Sequence, residues 1–354
     1  MLKGVSLFSS AGIDEYYLKD IGFNVVVANE KIKERADLYQ KMYQKCKMIC
    51  GDITDTNIFG ELKKEISKHK IDFLIATPPC QGVSLAGKNK SMEQMTTDDR
   101  NQLIMKAIEI IKIAKPKIIL IENVPRYKDL YLTYKNELHT VEKILKKELV
   151  DYTLKVEVIS ATDFGVPQKR ERVIFRLYKK DINWELPKKE NEITLRQAIG
   201  HLPTLESEEN SGIKWHYARK HTKEHIEWMK NTKEGKSAFE NKINYPRKKD
   251  GTRIKGYKAT YARMKWDKPA PTITMRNDAI SSQTNVHPGR IKDDGTISDA
   301  RVLTPRELFI LTSLPPEPII PLETKESLIR KVIGESFPPL VLKKIFTEIN
   351  IKND

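Results

Sequence analysis

Two runs in this chain, Phe73-Leu74-Ile75-Ala76 and Ile118-Ile119-Leu120-Ile121, are apolar at every position. A half-exposed strand alternates apolar and polar side chains, so a run with no polar position has no face to give to water. Such strands need helices covering the sheet on both sides. Strands are expected at residues 4–8, 24–28, 47–50, 72–76, 117–121, 154–159 and 172–177, with longer amphipathic stretches between most of them. From Leu103 to Ala114 the apolar residues Leu103, Ala107, Ile110, Ile111 and Ala114 recur at helical spacing. This alternation predicts an α/β fold: a doubly wound, mostly parallel sheet.

The pattern stops near residue 185. Between Ser211 and Lys265 there are 16 Lys or Arg against 5 Asp or Glu, which leaves +11 of the chain's net +15. Trp215, Tyr217, Trp228, Tyr245, Tyr257 and Tyr261 are scattered among them. Two domains are expected, residues 1–185 plus 325–354 as the larger and residues 186–324 as a smaller, inserted one. A concentrated positive charge favours a polyanion, nucleic acid before membrane surface, although solvated Lys faces would give the same count. No apolar run approaches the roughly 18 residues of a membrane span, and residues 1–10 read as a strand, not a signal peptide. Three cysteines in 354 residues argue for a reducing compartment, hence the cytoplasm. Cys46 and Cys50 lack neighbouring ligands and read as core residues, with no metal.

In a doubly wound sheet, ligands bind beyond the carboxyl ends of the strands. The first such turn, Phe8-Ser9-Ser10-Ala11-Gly12, is built of small residues after its Phe and is followed by Ile13. Glu30 ends the second strand, where a carboxylate can accept from ribose hydroxyls. Gly51-Asp52-Ile53 follows the third; Asp52 can accept from an adenine amino group while Ile53 packs on the ring. Each alone is a weak signal, since a small-residue turn is usually just a turn and an acid after a strand is usually a helix cap. In this order they point to an adenosine-containing cofactor, and the missing phosphate-binding glycine series favours a nucleoside without pyrophosphate.

The fourth strand runs into Thr77-Pro78-Pro79-Cys80-Gln81-Gly82, placing a thiol at the ligand edge on a chain stiffened by two prolines. An attacking cysteine needs a site that favours its thiolate. The fifth ends in Glu122-Asn123-Val124, where a partly desolvated carboxyl can donate a proton or hydrogen bond; taken alone, Glu122 reads equally as a cap or ion-pair partner. Gln168, Arg170 and Arg172 fall on one face of an extended segment and form a set of donors for a base or phosphate.

Together these motifs resemble the cytosine-5 DNA methyltransferase family of the bacterial restriction-modification type, over nearly the whole chain and in family order. Phe8–Gly12, Gly51–Ile53, Pro79–Gln81, Glu122–Val124 and Gln168–Arg172 carry the likeness, with Arg301-Val302-Leu303-Thr304-Pro305-Arg306-Glu307 and Gly334-Glu335-Ser336-Phe337-Pro338-Pro339. Ser10 and Ile13 stand where the family usually has glycine, and Glu335 where it usually has asparagine.

The resemblance implies the S-adenosylmethionine-dependent methyltransferase fold with an inserted target-recognition domain, and S-adenosyl-L-methionine as methyl donor, leaving as S-adenosyl-L-homocysteine. It implies Cys80 as nucleophile on cytosine C6, Glu122 at N3, and Arg172 with Arg170 behind it at the base carbonyl. Phe8, Ser10, Ala11, Gly12, Ile13, Glu30, Asp52, Ile53, Pro79, Leu103 and Ser336 would line the cofactor pocket. Gln81, Ser84, Asn123 and Gln168 would meet the flipped base or its strand, Ser84 on a loop that closes over the site. Arg247, Arg253 and Arg263 are expected to read bases of duplex DNA. Lys268-Pro269-Ala270-Pro271-Thr272-Ile273-Thr274 resembles the stretch closing this region. His216, His221 and His225 are expected on a helix face near DNA, not on a metal. A monomer in the bacterial cytoplasm, associated with the nucleoid and partnered by a cognate restriction endonuclease, is the implied setting. A tRNA methyltransferase is the alternative, but its characteristic Cys-Phe-Thr insert is absent. A non-enzymatic DNA-binding scaffold is opposed by Cys80, Glu122, Arg170 and Arg172.

Overall fold

The computed structural model describes residues 1–79, 103–248 and 250–351. The chain divides into two compact units, Met1–Ser160 with Glu171–Lys188 and Leu342–Asp354, and Ala161–Arg170 with Lys189–Val341.

In the first unit, β1 (Leu2–Leu7), β2 (Phe23–Glu30), α1 (Lys33–Met42), β3 (Lys47–Cys50), α2 (Thr56–Ile66), β4 (Phe73–Ala76), α3 (Leu103–Ala114) and β5 (Ile118–Asn123) follow in order. A hairpin of β6 (Tyr131–Tyr134) and β7 (Glu137–Thr140), then α4 (Val141–Glu148), β8 (Thr153–Ser160), β9 (Glu171–Tyr178) and β10 (Ile182–Trp184) complete it, with β11 (Ile349–Ile351) paired to β10. Seven strands form one sheet in the order β3-β2-β1-β4-β5-β9-β8. The pairs among β1 to β5 are parallel, whereas β9 runs antiparallel to both β5 and β8. Every residue of β4 and β5 is buried, as strands without a polar face require. One sheet face packs Val5, Leu7, Leu74, Ile119 and Ile121 on Ile104, Ile108 and Ile111 of α3. On the other, Phe73, Phe23 and Phe346 meet edge to face. Each such side chain stabilises the fold by about 1.5–3 kcal/mol relative to exposure. The β6–β7 hairpin was not expected. Its alternating burial and the Lys135-Asn136 turn, both at positive φ, were nonetheless present as a pattern in Tyr131–Thr140.

The second unit has few ladders. Its helices α5 (Leu195–Ile199), α6 (Lys223–Lys230), α7 (Pro305–Leu311) and α8 (Glu326–Glu335) are short, and α9 (Pro339–Thr347) crosses into the first unit's residues. Most strand-like pairing is by isolated bridges. Backbone carbonyls outside ladders still need donors, and a buried guanidinium offers five. Arg263, Arg301 and Arg330, each about 1% exposed or less, fill that role. Arg330 donates to the carbonyls of Leu303 and Asn277 and to Glu326. Thr304 caps α7 in a capping box with Glu307, and Pro305 occupies the first turn. Gly334 has no room for a side chain: a Cβ there would lie 2.3 Å from the Thr274 carbonyl oxygen.

Candidate active site

After β1 the backbone turns sharply, with Phe8 at φ 60, Ser10 at 47 and Gly12 at 68. Gly12 suits such an angle, and the Tyr39 and Tyr43 rings leave no space for a Cβ. Ser10 occupies its glycine-like position under strain, held by its N–H donating to Glu30 Oε2 at 2.9 Å. Ile13 needs no glycine: its φ is not left-handed and its side chain is buried. Ala11 is fully buried. Glu30 Oε1 accepts from Ile32 N at 2.7 Å, so this carboxylate braces the turn while each oxygen retains a lone pair.

Asp52 Oδ1 accepts from Thr54 N and Oγ1, and Oδ2 lies 2.8 Å from Lys31. The Lys31 hydrogen bond holds its pKa down at about 2. Ile53 is buried in the main core, and Leu103 opens α3 against that core.

Two further acids sit below the turn and were not singled out from sequence. Asp14 and Glu15 are 7% and 4% exposed. Glu15 accepts from the Tyr39 hydroxyl at 2.6 Å, and the Tyr43 hydroxyl donates to Gly12 O at 2.6 Å. Burial pushes Glu15 up to about 7 against the opposing Ser6 and Tyr39 hydrogen bonds. Burial first, then the charges of Glu15 and Glu122, raise Asp14 well above the carboxylate range. The adjacent acids directly after the small-residue turn were the available signal. Cys46 is buried beneath Tyr39, its thiol pushed up to about 12 by burial; Cys50 is exposed, which corrects its reading as core.

At the end of β5, Glu122 is 8% exposed, and its Oε1 lies 2.6 Å from Arg172 Nε. The antiparallel direction of β9 makes this possible, because it places the start of β9 beside the end of β5, with Asn123 opposite Val173. Asn123 Nδ2 donates to Pro78 O at 2.9 Å, tying the end of β4 to the Glu122-Asn123 corner. Thr77 Oγ1 donates to Phe8 O at 3.0 Å, so the β1 turn joins the same edge. Half-buried Pro79 follows directly. Cys80, Gln81 and Ser84 lie outside the described residues.

Three of the remaining predicted residues, Gln168, Arg170 and Arg263, are buried. Arg170 is 2% exposed and donates to the carbonyls of Ile273, Gly334 and Glu335, so its guanidinium fastens two backbone segments. Gln168, 1% exposed, donates to Leu311 O and accepts from Ile273 N. The Lys268–Thr274 stretch is knitted to this segment through Ala270 and Thr272. Ser336 caps α8, its hydroxyl donating to Ile333 O. Arg263 is 1% exposed and donates to the carbonyls of Met229, His287 and Asp299, so it cannot reach a base edge. Arg247 and Arg253 are exposed.

The histidines do not form a face either. His216 is fully buried between Thr304 Oγ1 and Pro203 O. His221 accepts from Val302 N and is pushed down to about 4 by burial and Arg219. His225 packs on Trp228 and Tyr261. Among the described residues no group of three or more His, Cys, Asp or Glu is placed to hold a metal ion, and no helix is long and apolar enough to cross a membrane.

A parallel sheet continued by the antiparallel pair β9 and β8, with a strained turn at its first strand and an acid–guanidinium pair beside its fourth, defines the S-adenosylmethionine-dependent methyltransferase fold. The chain belongs to the C-5 cytosine-specific DNA methylase family, whose model matches residues 2–351, and is a DNA (cytosine-5)-methyltransferase. It is 53% identical over 353 residues to the Type II methyltransferase M1.HgaI of Avibacterium volantium, covering 99% of each chain. With the Type II methyltransferase M1.HphI of Haemophilus parahaemolyticus it shares 30% identity over 344 residues, 96% of this chain and 84% of that one. Among solved structures, the Entamoeba histolytica methyltransferase EhMeth superposes with a TM-score of 0.64 at 15% identity, over 98% of this chain and 97% of that one.

Proposed function

We propose that this enzyme methylates a flipped-out cytosine in a specific duplex sequence, with Cys80 as nucleophile, and that it serves as the modification half of a Type II restriction-modification system. The observation that carries the site assignment is the Glu122–Arg172 pair at 2.6 Å, beside an Asn123 bonded to Pro78, two residues before Cys80. Glu122 donates to or protonates N3 of the base, which makes C6 electrophilic, and Arg172 holds the base carbonyl and the developing negative charge. The Cys80 thiolate adds to C6; C5 then takes a methyl group, loses its proton, and the thiolate leaves to restore the ring. A base inside a duplex is out of reach of this chemistry, so the cytosine must leave the stack.

The pocket chemistry fits S-adenosyl-L-methionine, which when bound supplies an electrophilic methyl on a sulfonium and leaves as S-adenosyl-L-homocysteine. Glu30 and Asp52, at the ends of the second and third strands, offer carboxylate acceptors for hydroxyl and amino groups and oppose a pyrophosphate. In this assignment Glu30 and Asp52 hold the ribose and adenine, and the Phe8–Gly12 backbone lies against the amino-acid end. Residues 186–324 form the target-recognition domain, whose exposed lysines contact phosphates. A monomer in the cytoplasm, at the nucleoid and alongside a cognate endonuclease, completes the reading.

The test is a duplex carrying 5-fluorocytosine at the methylated position. Fluorine cannot leave as the C5 proton does, so a denaturation-resistant adduct mapping to residue 80 is expected when the methyl donor is present. Cys80→Ser should form none while still binding DNA. Full turnover in that variant would remove Cys80 from the mechanism.

A further inference from the structure

The most exposed part of the second unit's basic region is a hairpin whose described residues are 245–248 and 250–257. It is closed by Lys248 N donating to Thr252 O at 2.8 Å and Ile254 N to Pro246 O at 3.0 Å. Arg247 and Arg253 are bridge partners across it. Their guanidinium carbons lie 4.4 and 3.9 Å from the centre of the Tyr245 ring. Two like charges opposed across a hairpin repel one another. Neither has a carboxylate ion-pair partner among the described residues. The arrangement is tolerable because both stack on one ring, and an anionic partner would relieve it.

The two arginines are not equivalent. Arg253 Nη2 donates to Phe239 O and Asn241 O, both at 2.7 Å, so its guanidinium is spent on the hairpin root. That root is itself fixed. Asn241 donates to Trp228 O and Asn244 O, and the Phe239 ring packs on Tyr261. Gly256 lies so close to Phe239 that a Cβ would meet the ring at 2.2 Å. Arg247 makes no such bonds among the described residues. It is exposed, stacked on Tyr245, and leaves its planar fork of donors free. Tyr257, 85% exposed, extends the same surface.

We infer that Arg247 is a specificity-determining residue that reads a guanine in the major groove, and that Arg253 is the positioning residue that holds its hairpin rigid. Resting on the duplex-DNA function proposed above, this assignment names the base and separates the arginines by role. A stacked guanidinium loses little freedom on binding, and its paired donors match guanine O6 and N7, the commonest specific contact.

The test is methylation of a pool of duplexes with randomised sequence around a cytosine, read by bisulfite sequencing, for wild type, Arg247→Ala, Arg247→Lys and Arg253→Ala. Arg247→Ala should lose preference at one guanine by about 5- to 150-fold, with the other positions unchanged and the melting temperature as in wild type. Arg247→Lys should retain part of that preference. Arg253→Ala should lower methylation of all sequences together, raising KM without changing the preferred bases. Uniform weakening by Arg247→Ala would mark a phosphate contact and overturn the assignment. So would relaxation at a base other than guanine, or equal relaxation by Arg253→Ala. A wild-type enzyme with no sequence preference in any duplex would refute the underlying DNA-reading function, a result visible before any variant is compared.

Discussion

Arg301→Met should cost the second unit about 3–5 kcal/mol at pH 7.5, because it leaves two buried carboxylates without their charge partner. Arg301 is fully buried; Nη2 donates to Asp299 Oδ1 at 2.7 Å, and Nη1 to Glu307 Oε2 at 2.8 Å. Nε and Nη1 also satisfy the carbonyls of Leu205 and Val302. Burial alone would raise both acids, yet the charges of His287 and Arg301, with the neighbouring hydrogen bonds, bring each down to about 2. His287, pushed down to about 4 by burial, is neutral at pH 7.5, which leaves Arg301 as the closest positive charge to both. One pH unit of displacement is worth about 1.4 kcal/mol, so each depressed acid contributes roughly 2–4 kcal/mol at neutral pH. The sign follows from the depressed folded values: this stability is present above the ordinary carboxylate pKa and lost as pH falls toward 2.

Thermal unfolding followed by tryptophan fluorescence should show the variant melting roughly 6–20 °C lower. The deficit should shrink near pH 5, where the unpaired acids and His287 take up protons. The triple change Arg301→Met, Asp299→Asn, Glu307→Gln keeps the acceptors but removes the buried charges, and should recover most of the loss. A single variant that melts within about 2 °C of wild type, or a triple variant no better than the single, would refute this accounting.

Ser10→Gly should stabilise the protein by about 1 kcal/mol, since Ser10 sits at φ 47 where only glycine is unstrained; an unchanged or lower urea midpoint would contradict it. Glu15→Gln should flatten the pH dependence of stability. Burial raises the wild-type carboxyl from 4.5 to about 7, so its stabilising protonated form is lost as pH rises through that window, and the variant should gain most above pH 7 in pH-resolved melts. Glu122→Gln should lower kcat by about 100- to 10,000-fold with little change in DNA affinity. A rise in KM with kcat unchanged in steady-state assays would instead make Glu122 a binding group.

Much of the architecture was legible because burial on two faces leaves a simple trace: strands apolar throughout, in a regular order with helices. The direction of β9 was not, since a strand buried on both faces looks the same whichever way it runs. That direction is what brings Arg172 to Glu122. The strained turn was legible as small residues, but Asp14 and Glu15 were not, because a pair of acids in sequence looks solvated until the fold closes over it. In Gln168–Arg172, alternation grouped three side chains on one face. The backbone instead spends Gln168 and Arg170 on carbonyls and leaves Arg172 for Glu122.

The basic region explains why charge counting misleads at the level of residues. Between Ser211 and Lys265 there are 12 lysines and 4 arginines. The described lysines are exposed apart from half-buried Lys230, whereas Arg263 is buried, Arg219 is half-buried and Arg253 gives its fork to carbonyls. An ammonium is compact and strongly hydrated, so it stays outside and builds the field that attracts phosphate. A guanidinium is more weakly hydrated and carries five directed donors, so a domain with few ladders uses it to satisfy loop carbonyls. Both count equally in net charge. What separates a DNA contact from an internal fastener is therefore whether a residue's donors are already spent, and in this region the arginine whose fork stays unspent on a rigid, exposed hairpin is Arg247.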